Sequence, residues 1–273
     1  MHHVVTNRLH FCFALFVLLT LVCSQASRAG SDRAREQRLT DQMVEAILEG
    51  DPVTLGAQPD DFLGIYMTSD TARGSVLILH GRGIHPDWPD LINPLRVDLT
   101  EHGWNTLSIQ LPVLAKSAEY NDYVPIFPEA IPRIEAALAY LRQHSSGPIV
   151  IAAHSCGTHM VQHWIQQRSH AATRLFDGYI GIGMGATDYQ QPMQEPFILA
   201  KIPTPVLDIY AELDYPAVHR TAPERLHLIR QAGHPQSQQQ VVPQAAHEFR
   251  EHSTALIRQI AAWLNQAFPL NQP

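Results

Sequence analysis

Apolar residues along this chain fall into short runs separated by polar stretches of helical period. Leu39, Met43 and Ile47, with neighbouring Val44 and Leu48, recur at helical spacing and predict a helix stopped by Gly50. FLGIYMTS (62–69) and SVLILH (75–80) flank the turn-rich DTARG and predict two adjacent strands. A helix within 89–102 then leads to strand 104–111, and a helix around 128–143 to strand 148–153. Further on come a helix over about 157–168, strands at 178–184 and 205–210, and a helix near 217–232. A short strand at 238–242 and a terminal helix within 248–267 complete the pattern. Strands that are apolar on both faces and alternate with helices imply a buried parallel sheet. The expected fold class is therefore α/β: one domain with a central, mainly parallel sheet and helices on both faces.

The first thirty residues depart from this pattern. Arg8 precedes the apolar run FCFALFVLLTLVC (11–23), which is followed by the small-residue stretch Ser24-Gln25-Ala26. That is the layout of a cleaved secretory leader, and the run is shorter than the roughly 18 to 20 residues needed to span a bilayer. The chain is expected to divide into a signal peptide (1–26), a polar lead-in with one helix (27–58) and the α/β domain (59–273). Export is expected, to a bacterial periplasm, with no stable membrane anchor after cleavage. Cys12 and Cys23 would leave with the leader, so Cys156 would remain without an intrachain disulfide partner.

Of 273 residues, 19 are basic and 26 acidic, for a formal net charge of −7, and the leader contributes an arginine but no acid. Only Lys116 and Lys201 are lysines, so no basic face exists to hold phosphate backbones, and nucleic acid is excluded as a partner. His159 and His163 stand at i, i+4 in HMVQH, which lacks the glutamate of H-E-x-x-H and any evident third ligand. They are expected to be ordinary histidines, and neither metal nor cofactor is expected.

The sharpest feature is IVIAAHSCGTHM (149–160), where a strand ends in a serine framed two places away by Ala153 and Gly157. A chain that swings from strand to helix within so few residues needs small side chains at those two positions. This is the mechanical content of the G-x-S-x-G nucleophile elbow, with alanine in place of the first glycine. PTPVLDIYAELDYP then places Asp214 in a turn after a late strand, and VVPQAAHEF places His247 just before the last helix. In these motifs, over roughly residues 60 to 268, the chain resembles the α/β-hydrolase superfamily, in its esterase- and lipase-like branch.

That resemblance implies Ser155 as nucleophile, His247 as base and Asp214 as orienting acid, in the superfamily's chain order. Glu212 and Asp188 rival Asp214, and Asp188 is the alternate acid because some members place it after the preceding strand. The His80-Gly81 turn of SVLILHGRG resembles the superfamily's H-G turn, which implies that the backbone N–H groups of Arg82 and Cys156 form the oxyanion hole. Cys156 itself reads as a packing residue, because its neighbours two places away are His154 and Thr158. Trp88, Tyr120, Tyr123, Phe127, Tyr189 and Tyr215 fall in loops after strand ends and are candidates to line a pocket. The segment between the strands at 178–184 and 205–210 is too short for a large helical lid, so a short or absent lid is expected. The implied activity is ester or thioester hydrolysis on a small-molecule acyl substrate. Acyl transfer by the same residues, and a non-catalytic envelope protein that keeps the fold for binding, stand beside it.

Overall fold

The computed structural model describes residues 30–57 and 60–269. Eight strands form one sheet: β1 (Asp51–Ala57), β2 (Asp60–Met67), β3 (Ser75–Leu79), β4 (Asn105–Ile109), β5 (Ile149–His154), β6 (Gly178–Ile182), β7 (Val206–Leu213) and β8 (Gln238–Ala246). Their order across the sheet is β1-β2-β4-β3-β5-β6-β7-β8. β1 and β2 are antiparallel to each other and β2 to β4, while every pair from β4 through β8 is parallel. Six longer helices surround it: α1 (Arg33–Val44), α2 (Ile92–Glu101), α3 (Ala130–His144), α4 (Cys156–Arg168), α5 (Pro216–Ala232) and α6 (Ser253–Ala267).

The expected mainly parallel sheet with helices on both faces is observed, and strand alternation divides the core. Leu77, Leu79, Ile149 and Ile151 pack with α3 and α4 in one apolar cluster. Val76, Ile78, Val150 and Ala152 pack on the opposite face with α2 and α6. Each strand thus buries both sets of side chains, which is why the central runs carry no polar alternation.

Three expectations about the first third need correction. β2 and β3 are consecutive but not neighbours; β4 lies between them, because β2 runs antiparallel to β4 while β3 pairs with β4 in parallel. The segment expected as lead-in belongs to the domain: Ser31 onward forms one compact unit, and β1 precedes residue 59 yet pairs with β2 over its whole length. The first helix begins at Arg33 and ends at Val44, before Ile47 and Leu48, and Leu48 is 89% exposed. Polar contacts rather than an apolar stripe fix α1. Asp32 caps it by accepting from the Arg35 amide, and Glu36 forms a buried ion pair with Arg133 of α3 at 2.6 Å.

The expected leader, residues 1–26, lies outside the described residues, among which no helix is long and apolar enough to cross a membrane. Residues 183–205, between β6 and β7, contain one short 3₁₀ turn, Leu199–Lys201, and no longer helix.

Candidate active site

Strand register brings the three implied residues to one edge of the sheet. In the β7–β8 pair, Leu213 sits opposite Ala246, so the next residues, Asp214 and His247, emerge side by side. In the β5–β6 pair, His154 sits opposite Ile182, and Ser155 follows with its amide donating to the Ile182 carbonyl at 2.8 Å. The site therefore lies at the carboxyl ends of the parallel strands, where open α/β sheets leave room for a ligand.

Ser155 occupies the N-cap position of α4 with φ 51° and ψ −120°, a positive φ that non-glycine residues rarely adopt. Despite that position its side chain does not cap the helix. Instead its Oγ lies 2.8 Å from His247 Nε2. Close packing explains the small neighbour at Gly157, where a Cβ would stand 2.6 Å from the His80 carbonyl oxygen. Gly183, φ +63°, serves the other side, since a Cβ there would lie 2.9 Å from His247 Cε1.

His247 Nδ1 lies 2.6 Å from Asp214 Oδ1. Asp214 also accepts from the amides of Tyr215 (2.8 Å) and Ala211 (3.1 Å). Burial pushes the Asp214 carboxyl up, but the hydrogen bonds from His247, Tyr215 and Ala211 outweigh it and leave it below the ordinary carboxylate range. An ionised Asp214 can only accept, which assigns the Nδ1 proton to His247 and leaves Nε2 free to accept from the Ser155 hydroxyl. The Tyr215 ring stacks on His247 with centroids 4.2 Å apart, and His154 Nε2 lies 3.1 Å from the His247 carbonyl, fixing the loop that carries the imidazole.

Cys156 is buried, which pushes its thiol up to about 12 and suits the packing role expected of it. Its amide and that of Arg82 have no hydrogen-bond acceptor among the described residues. The loop carrying Arg82 is held from both sides. His80 bridges the Gly81 carbonyl (2.7 Å) and the Leu111 amide (2.9 Å), and Arg35 of α1 donates to the Gly83 carbonyl at 2.9 Å.

Two expectations about side-chain roles are corrected here. Asp188 is no alternate acid: its carboxylate forms a two-pronged ion pair with Arg82 and accepts from the Tyr120 amide at 2.7 Å. The hydrogen bond from Arg82 holds it below the ordinary carboxylate range, against the opposing effect of burial. Glu212 accepts from the Gln244 amide on the outer side of β7. Of the six aromatic candidates, only Tyr120 and Tyr215 line the cleft over Ser155. Tyr123 and Phe127 are buried in the core beneath it, Trp88 packs against the opposite cluster, and Tyr189 is 89% exposed. His159 and His163 bind the Ala186 carbonyl and Glu195, and no metal-ligating group of three exists among the described residues.

A profile of the family described as "Protein of unknown function (DUF3530)" matches residues 20–125 and 127–266. The chain belongs to the DUF3530 family. No curated protein matches it in sequence. Among solved structures, this DUF3530 chain is similar to a dienelactone hydrolase from Anabaena variabilis (16% identity, TM-score 0.61, covering 81% of this chain and 98% of that one). It is also similar to an α/β serine hydrolase homologue from Coxiella burnetii (16%, 0.58, covering 79% and 98%). A third match is an α/β serine hydrolase without lid from Xanthomonas campestris (13%, 0.59, covering 83% and 98%). The DUF3530 chain thus has the α/β-hydrolase fold.

Three features of the DUF3530 site escape sequence reasoning. The Arg82–Asp188 pair joins residues 106 positions apart, and nothing local marks them as partners. The Arg35 contact was hidden by the polar composition of α1. Gly183 carries a signal in principle, as a glycine just past a strand end, but only the imidazole above it reveals its purpose.

Proposed function

We propose that this protein is a serine hydrolase that cleaves carboxylic esters or thioesters through an acyl-enzyme on Ser155. One observation carries the reading: the Ser155 hydroxyl leaves an N-cap position unserved to meet His247, with Asp214 behind it. A serine hydroxyl is a weak nucleophile until a base accepts its proton, and the base works best when an anion holds its tautomer.

As Ser155 Oγ bonds to the acyl carbon, His247 Nε2 takes its proton, and Asp214 stabilises the imidazolium without itself being protonated. The carbonyl oxygen becomes an anion facing the amides of Arg82 and Cys156, each such donor being worth on the order of 3 kcal/mol in the transition state. His247 then returns the proton to the leaving alcohol or thiol. Water, activated by the same imidazole, releases the acid and restores Ser155. The apolar leader at 11–23 supports an exported, periplasmic location for this chemistry.

A fluorophosphonate probe tests the proposal. Labelling is expected in the unmodified protein and absent in Ser155→Ala, and Asp214→Asn is expected to lower kcat on p-nitrophenyl acetate by on the order of 10⁴. A folded protein that takes no label would instead be a binding protein. Product analysis with an added alcohol separates hydrolysis from acyl transfer.

A further inference from the structure

Two ionised side chains stand in the Ser155 cleft without a part in the acyl chemistry. Arg82 reaches in from the loop after β3 and Asp188 from the loop after β6, with NH2 to Oδ1 at 2.9 Å and NH1 bonded to Oδ2. Asp188 Oδ2 also accepts from the Tyr120 amide, so the pair ties together three loops that surround the nucleophile. With Tyr120 and Tyr215 beside them, they leave a cleft of about 20 Å³ over Ser155. That space holds about one water-sized group, far below the roughly 300 Å³ at the small end of ordinary ligand pockets.

Resting on the serine-hydrolase reading, we infer that the Arg82–Asp188 ion pair is a wall that restricts the enzyme to esters of short acids of two or three carbons. A methyl group attached to the reacting carbonyl fits the free space, a second carbon reaches the ion pair, and each methylene beyond that runs into it. Displacing the pair is costly because the guanidinium is bonded at two points to a carboxylate that a backbone amide also holds, and both side chains are mostly buried. The wall acts on ground-state and transition-state binding of the acyl chain, not on proton transfer, so Arg82 and Asp188 side chains are specificity determinants and not catalytic residues.

The test reads kcat/KM on p-nitrophenyl acetate and hexanoate. The unmodified protein is expected to favour acetate. In the Arg82→Ala/Asp188→Ala double variant, which leaves no unpaired charge, the hexanoate-to-acetate ratio should rise by about 60-fold, since the three methylenes of hexanoate beyond a three-carbon acid, newly buried, contribute roughly fourfold each. Arg82→Met/Asp188→Leu refills the space without charge and should keep the short-acid profile. A general disturbance of the loop carrying the Arg82 amide would lower both rates and cancel in the ratio. Should the double variant not fold, alkylphosphonate p-nitrophenyl esters can be used on the unmodified protein, where the methyl compound must inactivate faster than the hexyl compound. An active unmodified protein that prefers hexanoate, or a ratio unchanged in the alanine variant, overturns the wall alone. An unmodified protein inert to every ester and to fluorophosphonate overturns the hydrolase reading and the wall with it.

Discussion

Three buried histidines should make this fold unusually sensitive to mild acid. Burial lowers His80 and His154 from 6.5 to about 3, and His159 to about 4. His80 is committed in its neutral form by accepting from the Leu111 amide while donating to the Gly81 carbonyl; His154 and His159 donate to the His247 and Ala186 carbonyls, and their burial disfavours a second proton. In the unfolded chain the same rings take up protons as the pH falls through about 6.5. The unfolded state therefore binds more protons than the folded one below that pH, and stability falls from pH 6.5 downward until the folded rings themselves titrate, near 3 to 4. At pH 5 each histidine costs about 2 kcal/mol, and the three together about 6. The figure hardly depends on whether a folded value is 3 or 4, because at pH 5 either ring is still neutral. Asp208, raised mainly by burial, works in the opposite sense, and Asp214 and Asp188, both lowered, begin to matter only below their ordinary 3.8. A loss of about 6 kcal/mol is comparable with the whole stability of a typical domain. Urea unfolding followed by the fluorescence of buried Trp104, Trp164 and Trp263 at pH 7, 6 and 5 measures it directly. His159→Gln, which can still donate to Ala186 but does not titrate, should remove about a third of the slope. Equal unfolding free energies at pH 7 and 5, or an unaltered slope in His159→Gln, would refute the reasoning.

Two further outcomes follow from close contacts at the site. Gly157→Ala drives a Cβ to 2.6 Å from the His80 carbonyl and 3.0 Å from that of Leu79. β3 is held between β4 and β5 and has no freedom to retreat, so the variant should lose about 1–3 kcal/mol of stability; a melting temperature equal to that of the unmodified protein would contradict this. Arg35→Ala frees the Gly83 carbonyl, one residue beyond the proposed oxyanion donor. Steady-state kinetics on acetate esters should show kcat down by about tenfold with little change in KM, as expected when a charge-assisted hydrogen bond worth about 1.5–3 kcal/mol positions a transition-state group. An unchanged kcat would show that α1 does not position the loop.

What could be read in the sequence was what repeats or has a steric rule behind it. The central strands announced themselves because both faces are buried, and Ser155 because an elbow tolerates only small residues at 153 and 157. β1 gave no such signal: it is an edge strand in which only Leu55 is buried, so DPVTLGA lacks an apolar run. The C-terminal end of α1 is not legible from apolar spacing, because the helix is fixed by the Asp32 cap and by Arg35 and Glu36, whose partners Gly83 and Arg133 lie far along the chain. The aromatic candidates divided according to burial, which residue type and loop position do not encode. Tyr123 resembles Tyr120 in the sequence but sits in the core, its hydroxyl accepting from the Leu114 amide.

Asp188 and Asp214 differ in what fixes their positions. Both acids follow a strand and both sit near the nucleophile, so position after a strand end cannot separate them. Register can. Leu213 opposite Ala246 sends Asp214 and His247 out of the sheet as neighbours, whereas Asp188 lies five residues beyond Gly183, far enough along its loop to meet Arg82 instead. The residues proposed for bond making thus occupy the first positions after paired strands, where the backbone ladder fixes them to within a residue. Those proposed for choosing the substrate stand farther out, where only loop-to-loop contacts hold them. Changes to Arg82 and Asp188 side chains should accordingly redirect acyl preference while leaving the Ser155–His247–Asp214 geometry intact, because the ladder that sets that geometry does not pass through them.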